Sequence, residues 1–200
     1  MPRSLLFMLA WLAGCAVAPP PGVKPVSDFD LNRYLGCWYE IARLDHSFER
    51  GLSQVSATYG LRDGGGVQVL NRGYDERTGV WKEAEGRAFF IGDPMVGSLK
   101  VSFFGPFYGG YHIIALDQAQ YAWAMIAGPS RDYLWILARS QRLPPEVREK
   151  LLQQAQALGF ATDQLIWVQH DREDACEGGV RLGLAGLSLS GRGDFHEDLD

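Results

Sequence analysis

Gly36-Cys37-Trp38-Tyr39-Glu40 decides the fold of this 200-residue chain, together with Asp132-Tyr133 and Arg139 far downstream. The glycine lets the backbone turn tightly before a first strand, so that the tryptophan ring can lie beneath the floor of a barrel. An arginine at the end of a late strand can place its guanidinium group on that ring. The pairing predicts a barrel that Trp38 and Arg139 close at one end, which is the shape of a container for an apolar molecule.

Strand-like runs follow one another through the middle of the chain, separated by turn residues such as Asp63-Gly64-Gly65-Gly66. The runs are 38–44, 53–61, 67–74, 81–91, 98–104, 111–116, 121–127 and 133–139. Eight runs at this spacing, without helices between them, predict an all-β fold, namely an eight-stranded antiparallel up-and-down barrel.

The hydrophobic period changes after the last of these runs. Apolar residues fall at helical spacing between residues 144 and 158, with prolines at the start and Gly159 just past the end. This pattern predicts one C-terminal amphipathic α-helix, packed on the outer wall of the barrel through Val147, Leu151, Leu152, Ala155 and Leu158. Residues 165–168 then predict a short final strand beside the first.

These features resemble the lipocalin family. Gly36-x-Trp38, Asp132-Tyr133 and Arg139 are similar, in that order, to its three signature regions. The strings Trp38-Tyr39-Glu40-Ile41-Ala42-Arg43, 101–111 and 132–137 resemble the Blc group of bacterial outer-membrane lipoproteins. The resemblance covers residues 28–171 and implies a lipocalin barrel that carries a lipid, without a cofactor and without catalysis.

The two ends of the chain differ in composition from this domain. Residues 1–14 combine Arg3 with an apolar run too short to span a bilayer, as in a signal peptide. Residues 15–27 are rich in proline and predict an extended, solvated tether. Residues 172–200 contain glycines and acidic residues without a sustained period and predict a flexible tail.

Leu12-Ala13-Gly14-Cys15 resembles the lipobox of bacterial lipoproteins. That resemblance implies that the signal peptide is cut before Cys15 and that the Cys15 thiol is acylated. An ordinary secretory signal is the alternative. Ala16 follows the cysteine where an aspartate would resemble an inner-membrane retention signal, so we expect a lipid-anchored protein of the outer membrane that faces the periplasm.

Alternation along the strands gives a set of residues that would line the cup. These candidate ligand-binding residues are Phe90, Val101, Phe103, Tyr111, Ile113, Trp135 and Leu137. The alternative is that they fill a solid interior. On the first strand, alternation puts Trp38 and Glu40 on one side and Arg43 on the other, and an inward Glu40 needs a hydroxyl or basic partner. Both sides of the 121–127 run are apolar, so the facing of Trp123 and Met125 stays open.

Other functions find little support in the sequence. The four histidines are widely separated and show no metal-site spacing, and Gly64-Gly65-Gly66 lacks the lysine of a phosphate-binding loop. The net charge of −5, with basic residues scattered along the chain, argues against nucleic acid as a partner. After acylation of Cys15, Cys37 and Cys176 remain, and whether they form a disulfide is open.

The resemblance implies a fatty acid or a lysophospholipid as ligand, stored or transported for membrane maintenance. It leaves open whether the protein is a monomer or a homodimer. Two alternatives belong to other classes. One is a lipocalin enzyme that modifies a lipid or an isoprenoid in the same cup, and the other is an envelope interaction protein with a filled barrel.

Overall fold

The computed structural model describes residues 17–172 and 174–176. In this part of the chain, eight antiparallel strands form a closed barrel. The strands are β1 (Gly36–Arg43), β2 (Leu52–Leu61), β3 (Val67–Asp75), β4 (Val80–Phe90), β5 (Ser98–Ser102), β6 (Gly109–Leu116), β7 (Trp123–Ala127) and β8 (Leu134–Ala138). Each strand pairs with its neighbours in sequence, and β1 completes the circle by pairing with both β2 and β8. The predicted up-and-down barrel is confirmed.

Two helices flank the barrel, and the sequence predicts the second of them. The short α1 (Leu31–Tyr34) leads into β1, and α2 (Pro145–Ala157) follows β8. A 3₁₀ turn (Thr162–Gln164) then leads to the two-residue strand β9 (Ile166–Trp167), which pairs with the end of β1. In the residues that the structure describes, no helix is long and apolar enough to cross a bilayer.

Helix α2 packs on the outside of the barrel, and its contacts show which way Trp123 and Met125 of β7 face. Leu151 and Ala155 of the helix are fully buried in one hydrophobic cluster with residues of β1, β6, β7 and β8. Trp123 and Met125 belong to this outer cluster, and the Lys150 ammonium group lies 5.4 Å from the centre of the Trp123 ring. Both β7 side chains therefore face the helix rather than the barrel interior.

The strand directions define two different ends. Because successive strands are antiparallel, the β1–β2, β3–β4, β5–β6 and β7–β8 connections lie at one end, here called the mouth. Helix α1 and the other three connections lie at the opposite end, here called the floor.

The proline-rich segment is not a solvated tether over its described part. Val23 is only 4% exposed and joins the outer cluster. The Val26 amide donates to the Ile113 carbonyl at 2.8 Å, and the Gly97 amide donates to the Val26 carbonyl at 2.9 Å. Proline blocks a helix but leaves valine side chains free to bury, so residues 17–27 run along the barrel wall. Residues 1–14 and Cys15 lie outside the described residues.

The chain also stays on the barrel beyond the predicted domain boundary at residue 171. Cys176 forms a disulfide with Cys37 of β1, with a Cα–Cα distance of 5.9 Å. Next to it, the Ser56 hydroxyl donates to the Ala175 carbonyl at 2.6 Å, and Trp81 Nε1 lies 3.2 Å from an Asp174 carboxylate oxygen. The start of the predicted flexible tail is therefore docked on β1 to β4, and the rest of that tail lies outside the described residues.

Candidate ligand site inside the barrel

Trp38 and Arg139 close the floor of the barrel. Trp38 is fully buried, and Arg139 Cζ lies 3.9 Å from the centre of its ring. The guanidinium group also donates to the carbonyls of Cys37 at 2.8 Å and Tyr34 at 3.1 Å. Gly36 has φ +92°, a conformation that side chains rarely adopt, and a Cβ there would lie 3.4 Å from Arg139 Nη1. The glycine therefore permits the turn, and the arginine lies in van der Waals contact with this position.

Asp132 and Tyr133 lie at the other end, in the β7–β8 connection. The Ser130 hydroxyl donates to the Asp132 carboxylate at 2.8 Å, which shapes this turn. The Tyr133 ring stacks beside Trp135 with 6.1 Å between ring centres. The residues of the sequence signature thus form two groups, a plug at the floor and a turn at the mouth.

All seven candidate ligand-binding residues lie in one inner hydrophobic cluster. Ile113 and Leu137 are buried within it. The other five are only partly buried, namely Phe90, Val101, Phe103, Tyr111 and Trp135. Alternation also directs Ala84 of β4 inward, yet it remains exposed. The inner face therefore combines fully buried residues with apolar residues that remain partly exposed.

Three tyrosines form a hydroxyl cluster on the inner face. The Tyr111 hydroxyl lies 2.7 Å from the hydroxyls of both Tyr34 and Tyr59. Burial raises the pKa of all three phenols above the ordinary value, so they stay neutral and bond to one another. The sequence identified only Tyr111. Tyr34 and Tyr59 come from α1 and β2, and nothing in their local pattern indicates that they meet.

A bulge in β1 brings Arg43 into the barrel. The register of β1 against β8 shifts between Glu40 and Ala42, so Ile41 is an extra residue and the alternation moves by one position. The prediction that Arg43 and Glu40 face opposite sides is wrong for this reason. Arg43 Nη1 donates to Glu40 Oε1 at 2.7 Å, which supplies the basic partner that an inward glutamate needs.

The β1–β2 connection folds back onto Arg43 and completes a buried polar group, here called the mouth cluster: Glu40, Arg43, His46, Glu49 and Trp135. Arg43 Nη2 donates to the Glu49 carbonyl at 2.9 Å, and Trp135 Nε1 donates to the Glu49 carboxylate at 3.3 Å. His46 Nε2 lies 3.3 Å from the same carboxylate. Sequence reasoning missed His46 and Glu49, because the contacts depend on how a connection without regular structure folds.

Burial controls the charge of the mouth cluster. It raises the pKa of the Glu40 carboxyl, which the neighbouring Glu49 raises further, and it raises the pKa of Glu49 despite Arg43. Burial, and then the Arg43 charge, lowers the pKa of His46 to about 4. His46 is therefore neutral at pH 7, and the cluster sets two carboxyl groups against a single guanidinium group.

A catalytic site in the cup could use a free cysteine thiol or a bound metal ion. Cys37 is bridged to Cys176 on the outside of the barrel and so offers no thiol to the cup. Across residues 17–172 and 174–176, no group of three or more His, Cys, Asp or Glu side chains is placed to hold a metal ion.

The chain is similar to known proteins over most of its length. The model of the lipocalin-like domain matches residues 29–170. The outer membrane lipoprotein Blc of Vibrio cholerae serotype O1 is 53% identical over 165 residues, which cover 82% of this chain and 96% of that protein. The outer membrane lipoprotein Blc of Escherichia coli strain K12 is 56% identical over 151 residues, covering 76% of this chain and 85% of that protein.

A solved structure has the same architecture. Insecticyanin from the tobacco hornworm Manduca sexta superposes with a TM-score of 0.63 at 27% identity, covering 80% of this chain and 90% of that one. The identity above 50% with the two bacterial lipoproteins places this protein in the outer membrane, held by a lipid anchor. The chain belongs to the lipocalin family.

Proposed function

We propose that this protein is a lipid carrier of the outer membrane, whose cup holds the acyl chain of a fatty acid or a lysophospholipid for storage or transport in membrane maintenance. Membership in a family of binding proteins supports a small hydrophobic ligand. An exposed acyl chain costs about 0.8 kcal/mol for each CH₂ group in water. A carrier between two membranes therefore needs a dry cavity for that chain.

The observation that carries this proposal is the partial exposure of apolar residues on the inner face. Val101, Phe103 and Trp135 belong to the inner cluster but are not fully buried. A packed core would bury such side chains completely, since apolar surface left in water is unfavourable. An acyl chain lying against them would remove that surface from water.

The mouth cluster supports a lysophospholipid over a free fatty acid. The carboxyls of Glu40 and Glu49 face one guanidinium group, that of Arg43, and burial already raises the pKa of both acids. A free fatty acid would add a third acidic group beside a single guanidinium group in a place where burial disfavours charge. A zwitterionic head group brings a cation as well as an anion and adds no net charge there.

Native mass spectrometry of the freshly purified protein tests the proposal. A matched pair of variants on β4 gives the control, because Ala84 faces inward and Glu85 faces outward. The wild type and Glu85→Trp should carry adducts with the mass of an acyl lipid, whereas Ala84→Trp should lack them because the indole fills the cup. Chemical conversion of the bound lipid would support the lipocalin enzyme. Absence of adducts even after addition of lysophospholipid would support a filled barrel.

A further inference from the structure

A row of polar side chains crosses the outer wall of the barrel, on the opposite face from the cup. Gln68 of β3 lies opposite Arg87 of β4, which in turn lies opposite Ser102 of β5. Directly opposed residues point to the same side of a sheet. Their sequence neighbours Ala88 and Val101 belong to the inner cluster. The three polar side chains therefore lie together on the outer face.

A groove of about 650 Å³ lies over this row. The pairing between β4 and β5 ends at Arg87 and Ser102, whereas β4 extends further toward the mouth. The β5–β6 connection returns beside the unpaired part of β4, where a Cβ on Gly105 would lie 2.7 Å from Arg87 Nη2. The polar side chains that line the groove are Arg62, Asp63, Gln68, Glu85, Arg87 and Ser102.

The two guanidinium groups of this groove have no carboxylate partner. Within the described part of the chain, neither Arg62 nor Arg87 forms an ion pair, although Asp63 and Glu85 line the same groove. Arg87 Nε donates to the Tyr108 hydroxyl at 3.1 Å, which helps to fix the side chain. The Nη1 and Nη2 groups of Arg87 keep their donors for a ligand.

Ser102 is a second, independent indication of a ligand. It is only 5% exposed, and among the described residues its Oγ has no hydrogen-bond partner. A buried hydroxyl without a partner is unfavourable, and folded proteins satisfy most such groups. Because Ser102 and Arg87 are neighbours in the row, one oxygen-rich ligand can accept hydrogen bonds from both.

The charges around the groove indicate which ligand it suits. Guanidinium groups and hydroxyls are donors that bind phosphoryl oxygens well. Lys100 Nζ lies 5.1 Å from the centre of the Tyr108 ring and adds positive charge beside the groove. The carboxylates of Asp63 and Glu85 would repel an extended polyanion that runs along the groove. A compact ligand with one phosphoryl group fits this arrangement better.

We propose that the groove on the outer wall is a binding site for a single phosphoryl group. Arg62 and Arg87 bind its oxygens, and Ser102 Oγ donates a hydrogen bond to one of them. The ligand is a small phosphate ester, either free or as the phosphate of a lipid head group. This site is separate from the cup and does not depend on the proposed carrier function.

Isothermal titration calorimetry of the full-length protein with glycerol 3-phosphate, at constant ionic strength, tests the site. The wild type should show saturable binding, and Arg87→Gln should weaken it about tenfold or more because it removes charge-assisted hydrogen bonds. Arg142→Gln, at an exposed position after β8, is the control and should bind like the wild type. Glu85→Gln should bind more tightly, an outcome that misfolding cannot produce. Absence of saturable binding by the wild type, or equal affinity in Arg87→Gln, would overturn the inference.

The matched variants on β4 separate this site from the cup. Glu85→Trp should lose glycerol 3-phosphate and keep acyl lipid, because its indole occupies the outer groove. Ala84→Trp should show the reverse, and loss of glycerol 3-phosphate in that variant would place the phosphate in the cup and overturn the inference. A wild type that carries acyl lipid but does not bind glycerol 3-phosphate would refute the groove site and leave the carrier function intact.

The Ala84→Trp protein, with its cup blocked, also distinguishes the two sources of the phosphoryl group. Dihexanoyl phosphatidylglycerol, kept below its micelle concentration, presents the phosphate of a lipid head group, whereas glycerol 3-phosphate is a free ester. Tighter binding of the lipid would support a head-group site, and tighter binding of glycerol 3-phosphate would support a site for free esters. Binding of neither would overturn the inference.

Discussion

Arg139 lies over the indole ring of Trp38, with its Cζ 3.9 Å from the ring centre, although the two residues come from opposite ends of the barrel sequence. The same guanidinium group bonds to carbonyls of α1 and β1. A single side chain therefore joins the last strand of the barrel to the first and to the helix before it.

Trp38→Ala should lower the free energy of unfolding by about 3–5 kcal/mol, the cost of truncating a buried aromatic side chain. Arg139→Ala should cost less, and a double-mutant cycle measured by urea unfolding should give a coupling of about 0.5–2 kcal/mol. Arg142→Ala, at an exposed position nearby, is the control and should change stability little. A cycle without coupling would refute the plug.

Cys176→Ser should destabilise the protein by about 2–5 kcal/mol, because the disulfide to Cys37 closes a long loop and restricts the unfolded chain. The two cysteines are 139 residues apart. Cys37→Ser/Cys176→Ser should unfold at the same urea concentration as the single variant under oxidising conditions. Unchanged stability in Cys176→Ser would show that the bridge does not hold residues 174–176 on the barrel.

The buried His46 should make stability depend on pH. Its pKa is about 4 in the folded protein against an ordinary value of 6.5, so the unfolded chain binds more protons between these values. The His46 contribution to the free energy of unfolding is therefore complete above pH 6.5 and is lost as the pH falls toward 4. Urea unfolding of the wild type and of His46→Gln at pH 7 and pH 5 checks this. The variant should lose less stability on acidification, and an identical loss in both proteins would contradict the assignment.

Cys15→Ser should leave the precursor uncleaved and without lipid, because cleavage and acylation both require the cysteine thiol. Incorporation of labelled palmitate, followed with membrane fractionation, measures both effects. Cys176→Ser serves as the control and should still incorporate the label. Palmitate in the Cys15→Ser protein would show that another residue carries the anchor.

Local patterns in the sequence were enough to predict the barrel. Alternating apolar residues and turn glycines define the strands, and the change to helical spacing after Arg139 defines α2. The inward direction of Val101, Phe103 and Trp135 follows from the same alternation and agrees with their place in the inner cluster. Their contact with a ligand stays a prediction.

The features that the sequence did not predict depend on contacts between distant segments. The bulge at Ile41 moves Arg43 to the inner face. The residue types around Ile41 do not indicate that the strand contains an extra residue. Val23 is buried because it packs in the hydrophobic cluster on the outside of the barrel. The composition of the segment alone indicated a solvated tether. The bridge between Cys37 and Cys176 likewise depends on where the C-terminal segment returns to the barrel.

The occupation of the cup by an acyl chain is the central claim, and two tryptophans on opposite faces of the barrel wall test it. Trp135 lies in the inner cluster, whereas Trp123 packs against α2 on the outside. Lysophosphatidylcholine with a bromine atom on its chain should quench the fluorescence of the wild type and of Trp123→Phe as it fills the cup. The account predicts that Trp135→Phe loses most of this quenching. An unchanged response in Trp135→Phe, or loss of the response in Trp123→Phe instead, would contradict it.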